Sequence, residues 1–173
     1  MKTEVSVQYG IKTLNILSSL EQKDYKKYFP DFESIELLER KNYPSYFTTR
    51  RKITFKNVLP RIIVLFLPMR IFDQINTYVD YSRWYPLQNY YTFNISCPHW
   101  YQTIGSVQFN PIVNKTRIDL QFEITKPHLP RKEWIEKIME PFVLNKYLQT
   151  IQDINIKLEE EYKSTPYCES LLS

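Results

Sequence analysis

The side chains of this chain best suited to nucleophilic or metal chemistry are its 2 histidines and 2 cysteines, and one of each falls in the stretch CPHWY, as Cys97 and His99. An imidazole beside a thiol can take up its proton and leave a thiolate nucleophile. Pro98 separates the two and favours a loop, so a loop-end or packing role outweighs the catalytic one. His128, just before Pro130, reads as a solvent-facing loop residue. Cys97 and Cys168 are too few and too far apart for a disulfide framework or a zinc cluster. Glu159, Glu160 and Glu161 end a helical segment as a solvated face, slightly opposed to its dipole. No HExxH, CxxC, phosphate-binding glycine loop or Gly-x-Ser-x-Gly occurs. Catalysis therefore has no candidate acid–base pair, and binding becomes the leading class.

Composition supports that class. A chain of 173 residues with 43% hydrophobic and 16% aromatic content can bury one sizeable core. Its 2 glycines against 11 prolines exclude glycine-rich nucleotide sites and suggest strands joined by proline-bounded loops. A net charge of +4, spread along the chain, is a weak field for nucleic acid, although basic and aromatic residues interleave in YFTTRRKITF. The longest apolar run, Ile62 to Leu67, is far short of the roughly 20 residues that span a bilayer, so the chain reads as soluble or peripheral. Cysteine usage and the absence of a signal-like start suggest an intracellular setting, where the sequons at Asn94 and Asn114 are chance matches.

The elements that must position any site follow from periodicity. Val5, Val7 and Tyr9 alternate with polar residues as a first strand, and Ile11, Leu14, Leu17 and Leu20 take up helical spacing. Asp24 can cap a short second helix that Pro30 stops. Strands are predicted at Ile35–Arg40, Tyr46–Phe55, Pro60–Pro68 and Phe72–Asp80, then a tight turn over YSRWYPLQN. Tyr91 to Cys97 and Gln102 to Asn110 alternate again, Pro111 to Lys115 turns, and in RIDLQFEIT the residues Ile118, Leu120, Phe122 and Ile124 face inward. From Leu129 to Tyr162, apolar residues at Ile135, Ile138, Met139, Phe142, Val143, Tyr147, Ile151, Ile154, Leu158 and Tyr162 form one stripe of a long helix. Pro141 predicts a kink or a division in two, with Trp134 to Phe142 facing any cavity and Tyr147 to Tyr162 packing on the sheet. Residues 1–162 read as a single domain and 163–173 as a flexible tail.

Several of these stretches resemble the START-like, or helix-grip (SRPBCC), superfamily, closest in pattern to its coenzyme Q-binding and polyketide cyclase-like group. They are VSVQYG, LSSLEQKDYKKYFPDFESIELLER with its Tyr25/Tyr28/Phe29/Pro30 turn, RRKITFKN, WYPLQNYYTFNI and TRIDLQFEIT. The chain departs from that group in carrying Asp80-Tyr81-Ser82-Arg83 where a Gly-Pro-Phe is found, which leaves the ligand open. The resemblance implies an α+β helix-grip fold: a curved antiparallel sheet of about six to seven strands wrapped around the C-terminal helix, with one or two short helices after the first strand. It also implies non-catalytic binding or transport of a quinone or lipid, ubiquinone included, with no other cofactor and a mitochondrial setting. The alternative is a ligand-free accessory subunit of a larger, respiratory-type complex, and an enzyme of the cyclase or hydrolase type ranks third.

On this reading the cavity would be lined by Phe55, Tyr78, Tyr91, Phe93, Val107, Phe109, Leu120, Phe122, Trp134, Ile138 and Phe142. Arg51, Gln74, Asn76 and Asn94 are candidate inward polar groups, each weighed against a place on the outer face. The aromatics Tyr81, Trp84, Tyr85, Tyr90, Tyr91, Phe93, Trp100 and Tyr101 can line that cavity, plug it, or serve a protein interface. Lys26, Lys27, Arg50 and Arg51 are candidates for contact with an anionic membrane surface during loading, at about 1 kcal/mol each.

Overall fold

The computed structural model describes residues 2–19, 25–56, 77–97, 101–125 and 132–164. Its order is β1 (Lys2–Val7), α1 (Gly10–Ser18), α2 (Tyr25–Tyr28), β2 (Phe32–Asn42), β3 (Phe47–Phe55), β4 (Thr77–Tyr85), a single 3-10 turn (Pro86–Gln88), β5 (Tyr90–Cys97), β6 (Tyr101–Ile112), β7 (Lys115–Thr125) and α3 (Lys132–Ser164). The strands form a 7-stranded sheet in the order β1-β7-β6-β5-β4-β3-β2, each neighbouring pair antiparallel. With α3 against one face, this is the helix-grip α+β architecture.

Alternation chooses the buried face. Along β7, Ile118, Leu120 and Phe122 are buried while Arg117, Gln121 and Glu123 are exposed. Cross-strand register carries the same face through Val107 and Phe109 of β6 and Tyr91 and Phe93 of β5 to Ile53 of β3. The second half of α3 covers it: Ile151, Ile154 and Leu158, spaced three and four apart, are all buried. Burying each such side chain contributes roughly 1.5–3 kcal/mol.

Both glycines mark close approaches. A Cβ on Gly10 would lie 2.4 Å from Cβ of Thr116, so only glycine lets α1 start against β7. One on Gly105 would meet the backbone oxygen of Gln121 at 2.5 Å and the ring of Phe93 at 2.6 Å. The Phe93 ring thus lies flat over β6. The start of α1 is tied to the far end of α3, where the Tyr9 amide donates to Oδ1 of Asn155 (2.8 Å) and Tyr9 stacks on Tyr162 (4.9 Å).

Three expectations change here. The stretch YSRWYPLQN is not all turn: β4 runs to Tyr85, because Ser82 and Trp84 continue the inward alternation begun at Asp80, and only Pro86–Gln88 with left-handed Asn89 (φ 50°) reverses the chain. Pro111 lies within β6, past the first β5 residue in register, so the strand has a ladder on one side only at that point. The reversal itself falls at left-handed Asn114 (φ 62°). Pro141 sits inside one 33-residue helix and not between two; it is exposed, so water can serve the carbonyl left without a donor. The expected Pro60–Pro68 strand and Asp24 cap lie outside the described residues, as do 165–173.

The stripe of α3 makes a direct test. Ile154→Asp, at a site 0% exposed, is expected to remove cooperative unfolding or cost at least about 4 kcal/mol in urea. Ile156→Asp, at a site 51% exposed, should stay within about 0.5 kcal/mol of wild type. Equal effects would mean that the stripe is not core.

Candidate functional site

On the mostly apolar concave face, alternation directs Arg51 of β3 and Asp80 of β4, partners in register, into the interior. Their side chains are only 3% and 6% exposed. Asp80 Oδ2 accepts from Arg51 Nε (3.0 Å) and Nη2 (2.5 Å), and Oδ1 accepts from the Ser82 hydroxyl (2.6 Å). Arg51 Nη1 donates to the carbonyl of Leu17 (2.8 Å), in the last turn of α1, where a cation also suits the helix dipole. The guanidinium lies 5.4 Å from the ring centre of Trp84, whose Nε1 donates to Thr49 (3.0 Å). The cluster clamps β3, β4 and α1 together, with Arg51 Nε, Nη1 and Nη2 and both Asp80 oxygens engaged.

Above this clamp is an aromatic column. Trp84 stacks on Tyr91 at 4.2 Å, Tyr91 and Tyr147 share a hydroxyl–hydroxyl hydrogen bond, and Tyr147 lies over Phe93 at 6.4 Å. Tyr147 comes from α3, so the column joins helix to sheet. Burial pushes the pKa of both hydroxyls above the usual phenol value, that of Tyr91 further helped by Tyr147 itself. They stay protonated at neutral pH, and neither is a nucleophile or base.

The predicted cavity residues therefore divide. Val107 and Phe109 are 0% exposed, and Tyr91, Leu120 and Phe122 are buried at 3–4%. In the same cross-strand row as the clamp, Ile95 and Ile124 are only half-buried, as are Phe55 and Tyr78 beyond it, next to Phe93 at 8%; Leu144 of α3 is half-buried too. These strand residues lie toward the end where β3, β5 and β7 finish and β4 and β6 begin. Trp134, Ile138 and Phe142 belong to the first half of α3, but their side chains are outside what is described.

Other candidates fall elsewhere. Arg51 is buried in its ion pair and cannot meet a membrane surface, whereas exposed Arg50 is on the convex face opposite Tyr81. Lys26 is exposed, and Lys27 pairs with Glu161 at 2.8 Å. Asn94 is on the convex face beside Tyr81 and Ile104, accepting from Gln102 Nε2 (2.7 Å). Tyr81, Tyr85 and Tyr90 share that face, while Trp84, Tyr91 and Phe93 point inward. Gln74, Asn76, His99, Trp100, His128 and the side chains of Cys97 and Tyr101 lie outside the described residues. Tyr147 packs on the sheet as its place in the stripe predicted, whereas the sequence singled out neither Asp80, Ser82 nor Thr49 as a site residue; the signal for Ser82 was the alternation Asp80/Ser82/Trp84, with Asp80 read as a strand end and Ser82 as part of a turn. Among the described residues no cluster of three His, Cys, Asp or Glu side chains can hold a metal, and no helix is long and apolar enough to cross a membrane.

No protein-family model and no curated protein matches the sequence. Solved structures match nearly end to end. The ZhuI aromatase/cyclase of Streptomyces sp. R1128 is 13% identical over 96% of each chain, with a TM-score of 0.67. A protein of Thermus thermophilus is 13% identical over 93% of this chain and 97% of its own, at 0.65. A START superfamily protein of Mycobacterium smegmatis is 14% identical over 92% and 97%, at 0.55. The chain has the START-like, helix-grip fold.

Two outcomes follow for the clamp and the column. Asp80→Asn strands the Arg51 charge and is expected to cost about 3–5 kcal/mol in urea unfolding, while Arg51→Met with Asp80→Leu should recover most of it; a loss below about 1 kcal/mol for Asp80→Asn would mean that water reaches the pair. Because the folded pKa of Tyr147 lies above its ordinary 10.0, its contribution is complete below about pH 10 and falls as pH rises beyond it. Tyr147→Phe should flatten that alkaline decline; an unchanged pH–stability curve would contradict it.

Proposed function

We propose that this chain binds and carries a hydrophobic molecule, a quinone or another lipid, without catalysing a reaction on it. The observation that supports the reading is the uneven filling of the concave face. The clamp and the aromatic column close one part of it, and beside them Phe55, Tyr78, Ile95 and Ile124 keep a half-buried apolar surface, with Leu144 of α3 half-buried as well. Apolar walls with few polar groups suit such a ligand. The engaged Arg51–Asp80 pair and the protonated tyrosines argue against acid–base work. Loading from an anionic membrane surface would use Lys26, Lys27 and Arg50.

A second reading, an accessory subunit docked in a larger protein complex, is favoured by the hairpin ends, where Leu87 and Val113 are 91% and 90% exposed and Tyr43, Tyr46, Tyr85 and Tyr90 form a ladder of rings 4.5–5.6 Å apart. Rings with polar tips are enriched at interfaces.

Native mass spectrometry with added short-chain ubiquinone separates the two. The first reading expects a bound mass that Ile124→Trp, by filling the space, lowers about tenfold without lowering the melting temperature. No bound quinone in a folded protein, or binding indifferent to Ile124→Trp, would leave the docking reading in its place.

A further inference from the structure

On the concave face, Thr103 of β6 stands in register between Ile95 of β5 and Ile124 of β7. Its residue is 1% exposed, and its hydroxyl is the one fully buried side-chain polar atom among the described residues that has no hydrogen-bond partner. The other inward polar side chains are served: Thr49 accepts from Trp84, Ser82 donates to Asp80, and Tyr91 pairs with Tyr147. A dry hydroxyl without a partner is costly, and valine would fill the same shape without that cost. Both neighbours in register, Ile95 and Ile124, keep accessible surface on either side of the hydroxyl.

Building on the proposed ligand binding, we propose that Thr103 is a specificity-determining residue: its hydroxyl donates a hydrogen bond to an oxygen of the bound molecule. The ligand class is thereby narrowed to apolar molecules carrying a carbonyl, ester or ether oxygen that can lie between Ile95 and Ile124, and pure hydrocarbons are disfavoured. Selection is strong here because a hydrocarbon leaves the hydroxyl unpaired, whereas an oxygen relieves it. Gly105, two residues on, keeps the neighbouring position low, since any side chain there would push the Phe93 ring off the sheet.

The test compares decanone with decane, which differ only by the oxygen, by displacement of the apolar dye anilinonaphthalene sulfonate from the full chain. The decanone-to-decane affinity ratio of wild type should be about tenfold that of Thr103→Val, Thr103→Ser should keep the wild-type ratio, and the affinity for decane should stay within about twofold throughout. The ligand-free Thr103→Val protein should melt at or above the wild-type temperature. An undiminished preference in Thr103→Val, an equal fall for both molecules, or a lower melting temperature would overturn the assignment while leaving hydrophobic binding intact. If neither molecule displaces the dye, the ligand-binding reading itself falls, and the role of Thr103 with it.

Discussion

A curved sheet with one apolar face must have that face covered, and here a single helix is the principal cover. The constraint is geometric. Ile151, Ile154 and Leu158 seat the second half of α3, and Tyr147 reaches from it to Tyr91 and Phe93. The N-terminal elements close around the same helix end, through Asn155 to the Tyr9 amide, Tyr28 to Glu161 (2.9 Å), and Tyr9 stacked on Tyr162. Phe55, Tyr78, Ile95 and Ile124, toward the other end of the face, are left half-buried.

The Arg51–Asp80 clamp has a complementary part. A charged pair inside a hydrophobic face stabilises little by itself, since desolvation offsets most of its attraction. Its value is in orientation: it fixes the register of β3 against β4 and caps the end of α1 through the Leu17 carbonyl. A one-residue slip of β3 would turn Arg51 to the convex face, bury Arg50 in its place and leave Asp80 inside without that partner.

Much of this was legible in the sequence, and the reasons differ by element. The β7 alternation and the Ile151/Ile154/Leu158 stripe were clear because charged or polar residues occupy the outward positions between them. The helix-grip order followed from counting strands before a long helix. The site was harder. Val107 and Phe109 read the same whether they line a space or fill it, because hydrophobic alternation reports the face and not the depth. Ser82 was hidden in a stretch read as a turn, Asp80 fell at the end of a predicted strand, and Arg51, a candidate inward group, did not declare that its partner lay 29 positions away. Thr103 could not be found at all, since an unpaired hydroxyl is a property of the packed structure.

The central claim is that a hydrophobic molecule rests at the half-buried end of the concave face. Isoleucine methyl labelling measures it most directly, by intermolecular nuclear Overhauser contacts to a bound short-chain ubiquinone. The account predicts contacts at Ile95 and Ile124 and none at Ile118, Ile151 or Ile154. Contacts confined to the exposed Ile104, Ile112 and Ile156, or contacts at the packed core with none at Ile95 and Ile124, would contradict it.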